Sequence, residues 1–212
     1  MNSNQKDVAM KKLLLTAAAI LATLNMYGQG SGIVNFANLS SSNDRRITLA
    51  DGVTLAAGTG YHVALYWGAQ GTPESGLIQA GAAANLLTGS AAGTFTGGNR
   101  TLIPLSANGA IVTLQARGWT YLGAGTPDTY EGAVAAGLAG DLRYQVGRNN
   151  PFDRKSKDPT DPFETATAIG GPVSSGGSAA WTGFSVTTVP EPSVIGLGLL
   201  GAGALLMLRR RK

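Results

Sequence analysis

The strongest structural signal in the sequence is YHVALYW, residues 61–67, in which large apolar side chains recur at every second position. A period of two is typical of a β-strand with one buried face. Residues 111–119, IVTLQARGW, repeat the pattern, with Val112 and Leu114 on one face and Gln115 and Arg117 on the other. Two such strands predict that a β-sheet forms the core of the protein.

Shorter segments on either side of these strands have the same character. The candidate strands are Ile33–Ala37, Arg46–Leu49, Thr101–Leu105, Tyr144–Val146 and Gly183–Thr188. Two segments rich in glycine, alanine and serine are predicted to be loops, namely Ala80–Asn99 and Gly170–Ala180.

One helix is predicted, with Thr126 as its N-cap, Pro127 in its first turn and its end at Gly137. Many short strands, glycine-rich turns and a single short helix are typical of a mainly β domain. We therefore expect one domain over residues 29–189, built as a β-sandwich or a jelly roll.

Composition removes several classes of function. The 212 residues include 31 glycines, one histidine and no cysteine, and only 13% are charged. Without cysteine there can be no disulfide, no cysteine zinc site and no cysteine nucleophile, and one histidine excludes multi-histidine metal sites. No cofactor and no resident metal are expected.

The net charge of +4 comes from the two ends of the chain. Between Gln29 and Val189, nine Lys and Arg residues stand against ten Asp and Glu residues, so the body carries a charge of about −1. A nucleic-acid-binding surface needs a basic patch that neutralises phosphates. The body has no such excess of positive charge, and no nucleic-acid partner is expected.

The N-terminal segment has the layout of an export signal. Lys11 and Lys12 precede an apolar run from Leu13 to Ala22, which is the order of a positive n-region and an apolar h-region. The run is too short to cross a hydrocarbon core of about 30 Å. Residues 1–28 are therefore predicted to be a signal peptide with a helical apolar part, and Met10 is an alternative start.

The C-terminal segment carries three features in a row. Pro190, Glu191 and Pro192 form an extended motif, because two prolines exclude a helix and a central strand. Residues 193–208 contain no charged side chain and are predicted to form a transmembrane helix. Four cations follow, Arg209, Arg210, Arg211 and Lys212. Since basic residues stay cytoplasmic, the body is expected outside the inner membrane.

These three features, in this order, closely resemble the PEP-CTERM sorting signal, and the resemblance covers Val189 to Lys212. It implies that an exosortase, a membrane cysteine protease-transpeptidase, recognises residues 190–192 and processes the tail. It also implies export across the inner membrane and transient anchoring there. The protein would then reach the cell surface or the extracellular matrix, with a link to exopolysaccharide and biofilm.

The body is similar to one kind of PEP-CTERM surface protein, which begins with Val-Asn-Phe-Ala-Asn after its signal, here Val34–Asn38. Further matching points are Tyr130-Glu131, Asn150-Pro151-Phe152 and Phe184-Ser185. This second resemblance implies no enzymatic activity.

Few residues suggest catalysis. His62 is the only imidazole and lies in mid-strand, and the chain has no Gly-x-Ser-x-Gly nucleophile turn, so a structural histidine is expected. Carboxylates cluster once, at Asp153, Asp158, Asp161 and Glu164. Such oxygen ligands can hold calcium, but the basic residues among them favour a solvated loop.

Aromatic side chains offer another kind of site, since flat apolar faces can stack on sugar rings. Trp67 and Trp119 each end a predicted strand, where a sugar-stacking platform could form, although aromatic residues in strands more often belong to the core. Three functions are weighed in this order: a non-enzymatic surface or matrix protein, a carbohydrate-binding module with a specific glycan ligand, and a glycan hydrolase. The hydrolase would need a pair of body carboxylates that the sequence does not single out.

Overall fold

The computed structural model describes residues 31–39, 45–103, 109–166, 168–170 and 181–190. The predicted signal peptide, residues 1–28, lies outside the described residues. So do residues 191–212, which include most of the predicted sorting signal, and nearly all of the predicted loop Gly170–Ala180.

The two long predicted strands are confirmed and pair with each other. Strand β3 (Tyr61–Ala69) runs antiparallel to β7 (Ile111–Thr120), in a register that places Leu65 opposite Ala116 and Tyr66 opposite Gln115. Because side chains alternate along a strand, this register sends the apolar set of both strands to one face. The polar and aromatic set goes to the other face.

Short antiparallel strands extend this central pair on both sides. Strands β4 (Ile78–Gln79) and β5 (Ala84–Asn85) pair with β3, and β8 (Gln145–Arg148) and β9 (Phe152–Lys155) pair with β7. Strand β11 (Thr187–Thr188) adds to β8. The resulting seven-stranded sheet has the main order β11-β8-β7-β3-β4.

Two smaller pairs of strands also occur among the described residues. Strand β1 (Ile33–Asn38) is antiparallel to β6 (Phe95–Thr101), with an irregularity between Asn35 and Ala37, and we call this pair the ribbon. Strand β2 (Ile47–Thr48) is parallel to β10 (Phe184–Ser185).

The larger core lies on the apolar face of the sheet. Leu65 and Leu114 from the sheet, Phe36 and Phe95 from the ribbon, and Trp181 are all at most 1% exposed and belong to one cluster. The rings of Phe36 and Phe95 are 4.6 Å apart, and Trp181 meets Phe95 edge-on at 5.9 Å. Burial of this aromatic and aliphatic surface is the main source of stability for a chain without disulfides.

A helix covers the opposite face of the sheet. Helix α1 (Tyr130–Leu138) packs Tyr130 and Ala133 against Tyr66 and Trp119. The predicted helix start was wrong by three residues. Thr129 is the N-cap, since its side chain accepts a hydrogen bond from the Gly132 N–H.

Within the described part of the chain, the prediction of a mainly β fold with one short helix is confirmed, and the multi-strand sheet is consistent with a β-sandwich. Two local predictions were wrong. Ala80–Asn99 is not simply a loop, because it contains β5 and most of β6. Of the predicted strand Thr101–Leu105 the structure describes residues 101–103, and among these only Thr101 lies in a strand. Strand β6 pairs through its backbone and exposes most of its side chains, so it has little hydrophobic periodicity to detect.

Candidate functional site

An open cavity lies on the helix side of the sheet, where helix α1, strands β7 and β8 and the short 3-10 turn Glu74–Gly76 meet. Its volume is about 570 Å³, and we call it the groove. The residues that line it are Glu74, Ser75, Leu77, Arg117, Glu131 and Arg148. The groove therefore combines two carboxylates, two guanidinium groups, a hydroxyl and one apolar side chain.

Arg117 forms the base of the groove and is only 8% exposed. Its guanidinium lies 4.0 Å from the centre of the Tyr66 ring and 5.4 Å from that of Tyr130, within the range of cation–π attraction. The Arg117 Nε donates to Gln115 at 2.8 Å, and an Nη donates to the backbone oxygen of Glu74 at 3.0 Å. These contacts hold the buried cation in one orientation.

Glu131 neutralises Arg117 from the first turn of the helix. Its two carboxylate oxygens accept from Arg117 Nη1 at 3.0 Å and from the Tyr66 hydroxyl at 2.8 Å. Burial and the hydrogen bond to Glu131 raise the pKa of Tyr66, and burial raises that of Tyr130. Both phenols stay uncharged at neutral pH, and their rings pack against the buried Arg117.

Arg148 and Glu74 form the outer ion pair of the groove. Their side chains are 50% and 33% exposed, so this pair, unlike Arg117, is accessible to a ligand. Strand β8 positions Arg148, and the 3-10 turn after β3 positions Glu74. The rim of the groove therefore carries both hydrogen-bond donors and acceptors. The lining residues together have no net formal charge.

The two tryptophans that the sequence suggested as a sugar platform do not lie together. Trp67 is 4% exposed and belongs to the larger core, whereas Trp119 is 0% exposed and packs under the helix. Neither indole presents a face to solvent in this fold. The alternation of side chains explains this placement, since position 67 shares a face with Leu65 and position 119 shares the opposite face with Arg117.

The His62 side chain packs against aromatic rings and is bound by a carboxylate. Its Nδ1 pairs with Asp128 at 2.5 Å, and its ring stacks on Tyr121 with the centroids 4.1 Å apart. The imidazole also meets Trp119 edge-on at 5.9 Å. The contacts of His62 therefore link the end of the sheet to the segment that enters the helix.

The four carboxylates considered for calcium have separate protein partners. Asp153 accepts from the Thr113 hydroxyl at 2.7 Å in the sheet. Asp158 and Asp161 cap turns of their own loop, and Glu164 accepts from the Asp158 N–H at 2.8 Å. Among the residues that the structure describes, no three His, Asp or Glu side chains come together in a metal-binding arrangement.

The last described segment, which contains strand β11 and Val189, contacts both the sheet and the helix. Strand β11 pairs with β8, and Val189 is only 7% exposed. A Cβ atom added at Gly137 of the helix would lie 2.6 Å from the Val189 Cβ, so the two residues are in close contact. Pro190, the next residue, is exposed.

The other predicted sorting residues lie outside the described residues. These are Glu191, Pro192, the apolar run to residue 208, Arg209, Arg210, Arg211 and Lys212. Within the described ranges, no helix combines the length and the apolar character needed to cross a membrane.

No protein-family model matches this chain, and neither a curated protein nor a solved structure shows significant similarity to it. Sequence reasoning did not identify the groove, although one signal was present, namely a cation at position 117 within an otherwise well-patterned strand.

Proposed function

We propose that this protein is an exported, non-enzymatic component of the cell surface or extracellular matrix. Its C-terminal segment, residues 190–212, would be sorted and processed by an exosortase. In this proposal residues 1–28 form a helical signal peptide, residues 193–208 form a transmembrane helix, and the basic residues 209–212 stay in the cytoplasm. The β-sandwich-like body then associates with exopolysaccharide or biofilm.

The observation that carries the proposal is the junction between body and tail. The folded body reaches Val189, which is buried, and the exposed Pro190 follows at once. In the sequence, Pro190-Glu191-Pro192, an uncharged apolar run and four cations come directly after that point. In this proposal a membrane enzyme would reach the motif from the exposed Pro190 without unfolding of the body.

Two features of the described residues support a non-enzymatic role. The His62 side chain is only 12% exposed and its ring is stacked on Tyr121, whereas a general base must reach a substrate proton. The groove carboxylates of Glu74 and Glu131 are each paired with an arginine. Both kinds of group are held by protein partners.

The experiment compares the protein with a variant in which Pro190, Glu191 and Pro192 are all replaced by alanine, in a host that contains an exosortase. The proposal predicts a wild-type species without its tail at the surface or in the medium, and a full-length, membrane-bound variant. A matched control replaces Asp161 and Pro162, which are exposed in a loop of the body, and it should be processed as wild type. Equal processing of both variants would contradict the proposal.

A carbohydrate-binding module is the second candidate function. The groove favours it, because a half-exposed arginine and carboxylate beside a hydroxyl are suited to sugar hydroxyl groups. This function would operate alongside surface display.

A further inference from the structure

We propose that the groove binds a short stretch of an uncharged glycan. The rim pair Glu74–Arg148, together with Ser75, would supply the hydrogen bonds. This inference rests on the proposed function, because association with exopolysaccharide is what would bring the glycan to the protein. The binding step itself depends only on the folded body.

The charge balance of the groove selects an uncharged ligand. Glu131 pairs with Arg117, and Glu74 pairs with Arg148, so the four lining charges cancel. A phosphate or a uronate would have to compete with a carboxylate for its guanidinium, and a cation would have to compete with a guanidinium for its carboxylate. A neutral hydroxyl can donate to the carboxylate and accept from the guanidinium, and so it can join an existing ion pair without breaking it.

The base of the groove is rigid, which favours recognition of a ligand with a fixed shape. Arg117 is clamped by Gln115, by the Glu74 backbone oxygen and by two tyrosine rings. The Tyr66 hydroxyl holds the second oxygen of Glu131. Because these groups are already ordered, a ligand does not have to order them on binding.

The size and lining of the groove agree with a few sugar units. Its volume of about 570 Å³ lies within the range of roughly 300–1,000 Å³ that is usual for ligand pockets. Leu77 is the one apolar side chain in the lining, and because it is only 7% exposed the contacts with a ligand would be mainly polar.

The test uses the full chain, purified in a zwitterionic detergent that has no sugar headgroup. Binding of cellohexaose, maltohexaose and laminarihexaose is measured by titration calorimetry, with hexagalacturonate as an acidic probe. We expect at least one neutral probe to bind and to shift the NMR signal of the Ser75 amide. Glu74→Gln and Arg148→Gln should each weaken that binding by roughly tenfold or more, since each removes a charged hydrogen-bond partner.

Arg143→Gln is the matched control. Arg143 also pairs with a neighbouring carboxylate, that of Asp141, but its side chain is 72% exposed and does not line the groove. This variant should bind like the wild type. Failure of all three neutral probes, tighter binding of hexagalacturonate, or unchanged binding by both groove variants would overturn the inference. None of these results would affect the sorting proposal, which is tested by processing in cells.

Discussion

Docking of Val189 on the helix should protect the last described segment of the body, residues 184–189, from proteolysis. Val189→Ala removes two methyl groups from a side chain that is 7% exposed. At about 0.8 kcal/mol for each buried carbon, the docked state loses roughly 1.6 kcal/mol. Since about 1.4 kcal/mol corresponds to a factor of ten, the undocked population should rise by about tenfold or slightly more.

Limited proteolysis with mass spectrometry measures this effect. When opening and closing are fast relative to cleavage, the cleavage rate follows the open population. Cuts between residues 184 and 189 should therefore appear about tenfold faster in Val189→Ala than in the wild type. Gly137→Ala should act in the same direction, because its new Cβ would lie 2.6 Å from the Val189 Cβ.

Val53→Ala is the control for the docking prediction, because Val53 is 80% exposed and loses no buried contact when it is shortened. Its cleavage pattern should match that of the wild type. If Val189→Ala is cut in this segment no faster than the Val53 variant, the contact with the helix does not protect it.

Three further predictions concern the sheet and the groove. Gly147→Ala should destabilise the fold by about 1–3 kcal/mol in chemical denaturation, because its Cβ would lie 2.2 Å from the Ser185 backbone oxygen. The control is Gly60→Ala, which has open space around it. Its free energy of unfolding should stay within about 0.5 kcal/mol of the wild-type value. Burial raises the pKa of Tyr66 above its usual value of 10.0. Because the unfolded state therefore releases this proton at lower pH than the folded state, the free energy of unfolding should fall as the pH rises above 10. Tyr66→Phe should reduce this dependence on pH, and an unchanged slope would refute the assignment of the effect to Tyr66. Arg117→Lys should lower the free energy of unfolding by roughly 1–3 kcal/mol, because lysine cannot reproduce the separate hydrogen bonds to three acceptors. An unchanged melting temperature would show that the geometry of the guanidinium does not matter for stability.

Much of the sheet could be predicted, because its two central strands carry a strong period of two. Strand β6 could not, since Phe95 is its one large apolar side chain and its pairing with β1 uses backbone groups. The helix start was predicted wrongly because Thr126-Pro127 has the local chemistry of an N-cap followed by a first helical residue. Only Thr129 caps, while the Thr126 hydroxyl donates to the Gly123 backbone oxygen at 2.6 Å.

The groove could not be predicted because its members come from four separate parts of the chain. Arg117 was assigned to the polar face of its strand, but nothing local indicates that Glu74 and Arg148 lie beside it. That proximity depends on the register of β7 with β8 and on the 3-10 turn after β3. The burial of Trp119 likewise follows from the helix that packs over it. The signal peptide, the sorting motif and the membrane segment stay predictions from the sequence.

The most direct test of the account is the intact mass of the protein recovered from the cells that produce it. Processing of the C-terminal segment predicts a chain that ends near residue 190, with any additional mass reporting an attached group. Removal of the signal peptide predicts a start near residue 29. A mass that still includes residues 194–212 would show that the tail is a permanent anchor and would contradict the proposed sorting by an exosortase.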